Sequence, residues 1–193
     1  DTMLDIPDVD YVAAANYVGD DNRYYRASGT SFAAPIVTGI GSLVLSQRPE
    51  LTADELQRIL TQSADDADAP GKDQFTGYGI VNASAALSLD KDYYVESLIS
   101  GAAVVQDGSA VSLAVSGTAD ADDFKRAWVE IGAGKQPATW KRVGEDIKKP
   151  VTQGVLTTVP AAEFAGSTEW VIRLTTEHDD GSTREAWFLL TLG

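Results

Sequence analysis

The alternation of apolar and polar positions changes its period along this chain. The run Ile36-Val37-Thr38-Gly39-Ile40-Gly41-Ser42-Leu43-Val44-Leu45 is apolar on nearly every side of a helical projection. A helix of that kind has to be covered all round, and Arg48-Pro49 ends it. Next, Thr52-Ala53-Asp54-Glu55 reads as a capping box in front of a helix whose Leu56, Ile59 and Leu60 share one face. From about Tyr93 the period drops to two, in Val111-Ser112-Leu113-Ala114-Val115, Ala127-Trp128-Val129-Glu130-Ile131, Trp170-Val171-Ile172-Arg173-Leu174 and Ala186-Trp187-Phe188-Leu189-Leu190. Turn residues punctuate these segments at Asp107-Gly108, Gly132-Ala133-Gly134 and Asp180-Gly181. Helical periodicity therefore gives way to strands, and two modules are expected, residues 1–90 and 91–193, the second an all-β sandwich.

The chemistry concentrates just before the apolar run, in Gly29-Thr30-Ser31-Phe32-Ala33-Ala34-Pro35. A serine hydroxyl is a weak nucleophile unless a base takes its proton. At a helix start its backbone N–H is an orphan donor, aimed where an oxyanion forms, and the helix dipole favours negative charge there. Gly29 is expected to allow a tight turn and close approach of a substrate backbone, and Pro35 is expected in the first turn, where its missing N–H costs nothing. Ser31 is thus the candidate nucleophile, with Gly29 and Thr30 as candidate substrate contacts. Gly-Thr-Ser alone is a common loop triplet in which the serine merely caps a helix. The longer segment, joined to an all-apolar helix, narrows that reading.

Further on, Gly77-Tyr78-Gly79-Ile80-Val81-Asn82-Ala83 follows the capped helix and the acidic loop Asp65-Asp66-Ala67-Asp68-Ala69-Pro70-Gly71. This order resembles the C-terminal part of the catalytic domain of subtilisin-like serine proteases, over residues 1 to about 90. The resemblance implies an α/β fold, a C-terminal fragment of a parallel-sheet domain, with Ser31 as the attacking residue and its own N–H as one oxyanion donor. It implies that Ile6 to Ala13 form the last strand before the nucleophile loop. Two departures mark a divergent member: Ile6-Pro7-Asp8 stands for the family's Ala-Pro-Gly, and Ile36 for a frequent His. The family's chain order is Asp, His, Ser, so the triad Asp and His are expected in a segment upstream of this one. The one histidine of the chain, His178, lies far downstream. Without its base, Ser31 is expected to be inactive in this chain. One all-apolar helix, one capped helix and one credible strand cannot cover each other, so the first module alone is expected to expose apolar surface.

The second module has no cysteine pair, which excludes an antibody-type disulfide but leaves an immunoglobulin or fibronectin type of sandwich. Stretches such as Gly117-Thr118-Ala119, Trp128 to Gly132 and Pro137-Ala138-Thr139-Trp140 resemble a sandwich repeat of secreted bacterial proteins, which implies a spacer, adhesion unit or substrate guide. Trp128, Trp140, Trp170 and Trp187 sit in or beside alternating strands, where core packing is expected for most, with a carbohydrate platform as the other reading. His178, in Glu177-His178-Asp179-Asp180-Gly181, reads as part of a solvated hairpin loop with no partner histidine for a metal. Asp65-Asp66-x-Asp68 and Asp120-x-Asp122-Asp123 are read as solvated turns, since neither has the spacing of an EF-hand loop.

Composition trims the function classes. The formal net charge is −14, with 14 carboxylates against 5 Lys and Arg up to residue 90 and 15 against 10 after it. So acidic a chain repels nucleic acid and anionic membranes, and no apolar run is read as long enough to span a bilayer. No cofactor or metal is required by the motifs, although the resemblance makes calcium an expectation for the complete protein. It also implies a polypeptide substrate and a secreted or cell-surface location. The alternative is a non-catalytic secreted binding or adhesion module with a relic protease segment, and a third arrangement supplies the triad Asp and His in trans. Substrate preference is not written here, because Tyr24, Tyr25 and Arg26 offer only a rim.

Overall fold

The computed structural model describes residues 2–5, 17–18, 24–27, 29–73 and 75–192, which form two compact units, residues 1–50 and 51–193. In the first, β1 (Thr2–Asp5), β2 (Tyr17–Val18) and β3 (Tyr24–Ala27) make a sheet of order β1-β3-β2, followed by α1 (Thr30–Gln47). Both pairings are antiparallel. The parallel sheet implied by the resemblance is therefore not formed among the described residues. The connection from β2 to β3 is far shorter than the dozen or more residues that a parallel crossover needs. The expected strand from Ile6 to Ala13 lies outside the described residues.

Helix α1 ends where Arg48-Pro49 predicts, with the Arg48 N–H closing on the Val44 carbonyl at 3.0 Å. Pro35 corrects the sequence reading, for it lies inside the helix and not in its first turn. Its ring φ is compatible with a helix, and its missing N–H deprives the Ser31 carbonyl of the usual i+4 donor. Gly41 and Val44 are the buried residues of this helix, whereas Ile36 and Leu43 are 58% and 53% exposed. The apolar circumference read from the sequence is present, but most of it is uncovered.

The second unit begins with α2 (Ala53–Gln62) and α3 (Ala83–Ser88). The capping box forms as expected: the Glu55 N–H donates to Thr52 Oγ1 at 3.3 Å, and the Thr52 N–H donates to Glu55 Oε2 at 2.8 Å. Asn82 caps α3 by accepting the Ala85 N–H at 3.0 Å. Seven strands follow: β4 (Val95–Asp107), β5 (Ala110–Ala121), β6 (Phe124–Ala133), β7 (Lys141–Ile147), β8 (Val151–Pro160), β9 (Glu169–His178) and β10 (Thr183–Thr191). They build two antiparallel sheets, β10-β9-β6-β7 and β4-β5-β8.

One core joins the sheets. Leu113, Val115, Leu156 and Val159 come from the three-stranded sheet, and Ala127, Val129, Ile131, Val143, Ile172, Leu174 and Ala186 from the four-stranded one. Phe164, on a 3-10 turn over Ala161–Phe164, closes one side edge-to-face against Trp170, with ring centroids 5.5 Å apart. In the middle of β6, Ala127, Val129 and Ile131 point into this core and Trp128 and Glu130 point out, as period-two alternation requires. Asp107-Gly108 and Asp180-Gly181 make the turns of the β4–β5 and β9–β10 hairpins, with Gly108 and Gly181 at φ 60° and 88°, a region glycine enters without steric cost.

Residues 51–90 belong to this unit through specific bonds. Gln62 Oε1 accepts the Val95 N–H at 3.1 Å, and the Gln62 carbonyl accepts Arg184 Nη2 at 3.1 Å. Lys91 reaches Glu55 at 3.0 Å, and the Trp187 N–H donates to the Pro70 carbonyl at 3.2 Å.

Candidate functional site

Ser31 sits in the first turn of α1, whose N-cap is Gly29 with no side-chain capping bond. Gly29, Thr30 and Ser31 are all exposed. The first amides of a helix have no intrahelical acceptor, and no acidic residue occupies this first turn, so the positive end of the dipole is not offset by a carboxylate of its own helix. Gly29 is extended, with φ 174° and ψ 156°, a conformation open to any residue. The tight turn expected of it is absent. What glycine contributes is space: among the described residues, a β-carbon would meet only the Phe32 ring, at 3.8 Å. The Phe32 N–H closes on the Gly29 carbonyl at 3.0 Å, so the site offers an exposed Ser31 hydroxyl at the positive end of a helix, where negative charge on a carbonyl oxygen is favoured.

The segment 63–83 is held by its own carboxylates. Asp66 accepts the Gly71 N–H at 2.7 Å, and Asp73 accepts the Phe75 and Thr76 N–H groups at 2.6 and 2.8 Å. The hydrogen bonds from Thr76 and Phe75 hold the Asp73 carboxyl below its ordinary range. Asp65 exchanges backbone bonds with Ile80, 2.8 Å each way, and its carboxylate accepts Asn82 Nδ2. Gly79, at φ 106°, lies so close that a β-carbon there would fall 2.0 Å from the Asp65 carbonyl oxygen. The glycines and Asn82 of this motif serve loop closure and capping.

The tryptophans depart from the sequence reading. Only Trp170 of the four joins the core. Trp128, Trp140 and Trp187 are half-buried on the outer face of the four-stranded sheet. There Arg142, Glu130, Arg173 and Trp187 stand in register across β7, β6, β9 and β10. Arg173 pairs with Glu130 at 2.7 Å and lies over the Trp140 ring at 4.1 Å, while Arg126 and Arg142 flank Trp128 at 5.1 and 4.6 Å. Trp140 and Trp187 meet edge-on at 5.1 Å. Alternation alone cannot say which face of a sheet is the inner one; the pairing of Arg and Glu at the positions between the core residues is the signal that marks the outer face.

His178 is a second correction. It is not solvated: it ends β9, is 6% exposed, and stacks at a tilt on Tyr93 with centroids 5.1 Å apart. Its Nε2 lies 3.3 Å from Asp122 Oδ1, and Asp122, Asp123 and His178 bring one ligand atom each within 4.8 Å of one another. The Asp120-x-Asp122-Asp123 turn and the His178 hairpin were read separately in the sequence; the crossing from β5 to β6 brings them together.

The first part of the chain is similar to known proteins. Residues 12–79 match the family model "Subtilase family". Over 90 residues the chain is 37% identical to the calcium-dependent protease of Nostoc sp., covering 42% of this chain and 14% of that protein. It is 40% identical over 57 residues to serine protease AprX of Bacillus subtilis, 30% of this chain and 12% of the relative. It is 32% identical over 82 residues to the extracellular serine protease of Serratia marcescens, 37% of this chain and 8% of the relative. The chain therefore spans a small part of the length of each.

Proposed function

We propose that this chain, whose residues 12–79 match the subtilase family, is the C-terminal part of a subtilisin-like serine endopeptidase in which Ser31 is the acylating nucleophile. The observation that carries this reading is Ser31 itself, exposed in the first turn of α1 and inside the matched residues. Its hydroxyl attacks the peptide carbonyl, a base takes the hydroxyl proton, and the Ser31 N–H is one of the donors that receive the oxyanion. Gly29 and Thr30 border the substrate backbone. The base and its carboxylate come from an upstream segment, so the 193-residue chain alone is inactive.

The exposed Ile36, Val37 and Leu43 support this reading, as positions that a larger parallel sheet would cover. By length and composition α1 could also cross a membrane, because helix formation joins residues 30–35 to the apolar run. Its hydroxyl-bearing and glycine positions, Ser31, Thr38, Gly39, Gly41 and Ser42, suit packing against protein. Residues 1–90 are then an α/β fragment of the catalytic domain, and 91–193 a β-sandwich accessory domain. The substrate is a polypeptide, the location extracellular or at the cell surface, and calcium belongs to the complete protein, as the name of the Nostoc relative suggests.

The decisive test is fluorophosphonate labelling of this chain alone and of the same chain extended upstream through the Asp and His motifs. The expected result is labelling of Ser31 in the extended chain, its loss in Ser31→Ala, and none in the 193-residue chain. An extended chain that folds but leaves Ser31 unlabelled would sink the proposal. The outward Trp128, Trp140 and Trp187 favour a second reading, a polymer-binding module with a relic protease segment. It requires saturable binding of a surface polysaccharide that is lost on Trp140→Ala.

A further inference from the structure

Independently of the protease reading, the end of the two-sheet unit carries a group of donors that the proposed catalysis does not use. Asp122 and Asp123 form the turn by which the chain leaves β5 in one sheet and enters β6 in the other. His178 faces that turn from the end of β9, opposite Phe124. Asp122 Oδ1 also accepts the Tyr94 N–H at 2.9 Å, and the Asp179 N–H donates to the Asp123 carbonyl at 2.8 Å. Three separate chain segments therefore converge on one spot.

The imidazole is the telling group. His178 is more than nine-tenths buried, and its Nε2 has no hydrogen-bond partner among the described residues. It sits 3.3 Å from Asp122 Oδ1 without the alignment of a hydrogen bond. A buried polar nitrogen left in that state is costly. The spacing has another meaning, because two donors each about 2.0–2.1 Å from a tetrahedral metal lie about 3.4 Å apart. The other ring nitrogen completes the pattern. Nδ1 accepts the Asp180 N–H at 3.1 Å and also lies 3.0 Å from Asp180 Oδ1. A ring that gave up its Nε2 proton to a metal would carry the proton on Nδ1 instead, where Asp180 Oδ1 stands ready to accept it. A carboxylate behind a histidine in this way fixes the tautomer and raises the basicity of the ligating nitrogen.

We propose that Asp122, Asp123 and His178 bind a divalent transition-series cation of the zinc type, with water completing its shell and Asp180 orienting the imidazole. One nitrogen and two carboxylate donors suit zinc better than calcium, which takes six to eight oxygens. The cation would tie the β5–β6 crossing to the end of β9, joining the two sheets at one end. Exposure of both aspartates leaves an entry path.

The test uses the full 193-residue chain, whose single histidine makes its ring nitrogens unambiguous in nitrogen-15 spectra. Zinc chloride, with calcium chloride as the contrasting ion, is titrated by calorimetry while the spectra are recorded. The expected result is one equivalent of zinc, a large shift of the Nε2 resonance, an Nδ1 that is protonated in the zinc-bound state, and a higher melting temperature. Asp123→Asn, in an exposed turn, should weaken zinc at least tenfold with an unchanged circular dichroism spectrum. His178→Gln should remove binding, and Asp180→Asn should weaken it by about 10–100-fold. No saturable zinc binding at millimolar zinc would overturn the proposal. So would binding that leaves the imidazole resonances unmoved, or a ring protonated on both nitrogens with zinc present, since the cluster would then be an Asp–imidazolium–Asp network.

Discussion

At the scale of single residues, small groups with fixed duties decide most of the outcome. Gly79 combines φ 106° with a β-carbon position 2.0 Å from the Asp65 carbonyl oxygen. Gly79→Ala must therefore push two backbones apart, and it should lower unfolding free energy by at least about 2 kcal/mol in urea titrations. Gly77→Ala shares the positive φ but meets nothing within 4 Å, so it should cost only about 1 kcal/mol, from the left-handed backbone alone. Glu55 gives a pH signature. Hydrogen bonds from the Thr52 backbone and from Lys91 hold its carboxyl down from 4.5 to about 2. A depressed carboxyl pKa contributes stability that is complete above the unfolded value and is lost as pH falls through the folded one. The melting-temperature difference between the native chain and Glu55→Gln should therefore be full at neutral pH and shrink between pH 4.5 and about 2. A difference that stays constant through that window would mean that Glu55 acts by packing alone.

At the scale of elements, burial separates helices and strands that look alike in sequence. Trp170 and Trp187 both occupy alternating strands, yet Trp170 packs on Phe164 in the core and Trp187 lies outside against Trp140. Trp170→Ala should cost about 3–5 kcal/mol, in the range of large core truncations. Trp187→Ala should cost clearly less, about 1–2 kcal/mol, for a half-covered ring that loses an aromatic neighbour. Chemical denaturation of the two variants side by side checks the ranking. Helix α1 behaves in the opposite sense. Ile36 and Leu43 are exposed, so Ile36→Lys with Leu43→Glu should raise the solubility of this chain without lowering its melting temperature. In the upstream-extended protein the same pair should prevent folding, because there the proposed sheet covers them.

At the scale of the whole molecule, the shared core lies entirely within residues 51–193. A chain beginning at Leu51 should fold and melt as the 193-residue chain does in its main transition. A chain beginning at Lys91 keeps the sheets but loses Gln62 from Val95 and Arg184, Glu55 from Lys91, and the Pro70 carbonyl from Trp187. It should melt several degrees lower. An equal melting temperature would support residue 90 as an independent boundary, and a large fall would mean that residues 51–90 and the strands fold as one unit.

What the sequence determined by itself was whatever depends on neighbours along the chain. The Thr52–Glu55 box, the Asn82 cap, the end of α1 at Arg48-Pro49 and the hairpins at Gly108 and Gly181 each rest on a few consecutive residues whose chemistry permits one local conformation. The four strands with strict alternation, within β5, β6, β9 and β10, were legible for the same reason. Strands β4, β7 and β8 were not, because β4 is broken by a bulge between Ile99 and Gly101, β7 is mostly polar, and β8 lacks a strict alternation of apolar and polar residues. Ser31 could be picked out from its motif, and its exposure followed from its place at a helix start. Only tertiary structure decided which side of a sheet was inside, and so moved Trp128, Trp140 and Trp187 outward. It alone buried His178 beside Asp122 and Asp123, for these are far apart in sequence and meet because β5 crosses into β6 next to β9. Local order is set by short-range sterics and hydrogen bonds, whereas a face or a cluster exists only once distant strands have packed.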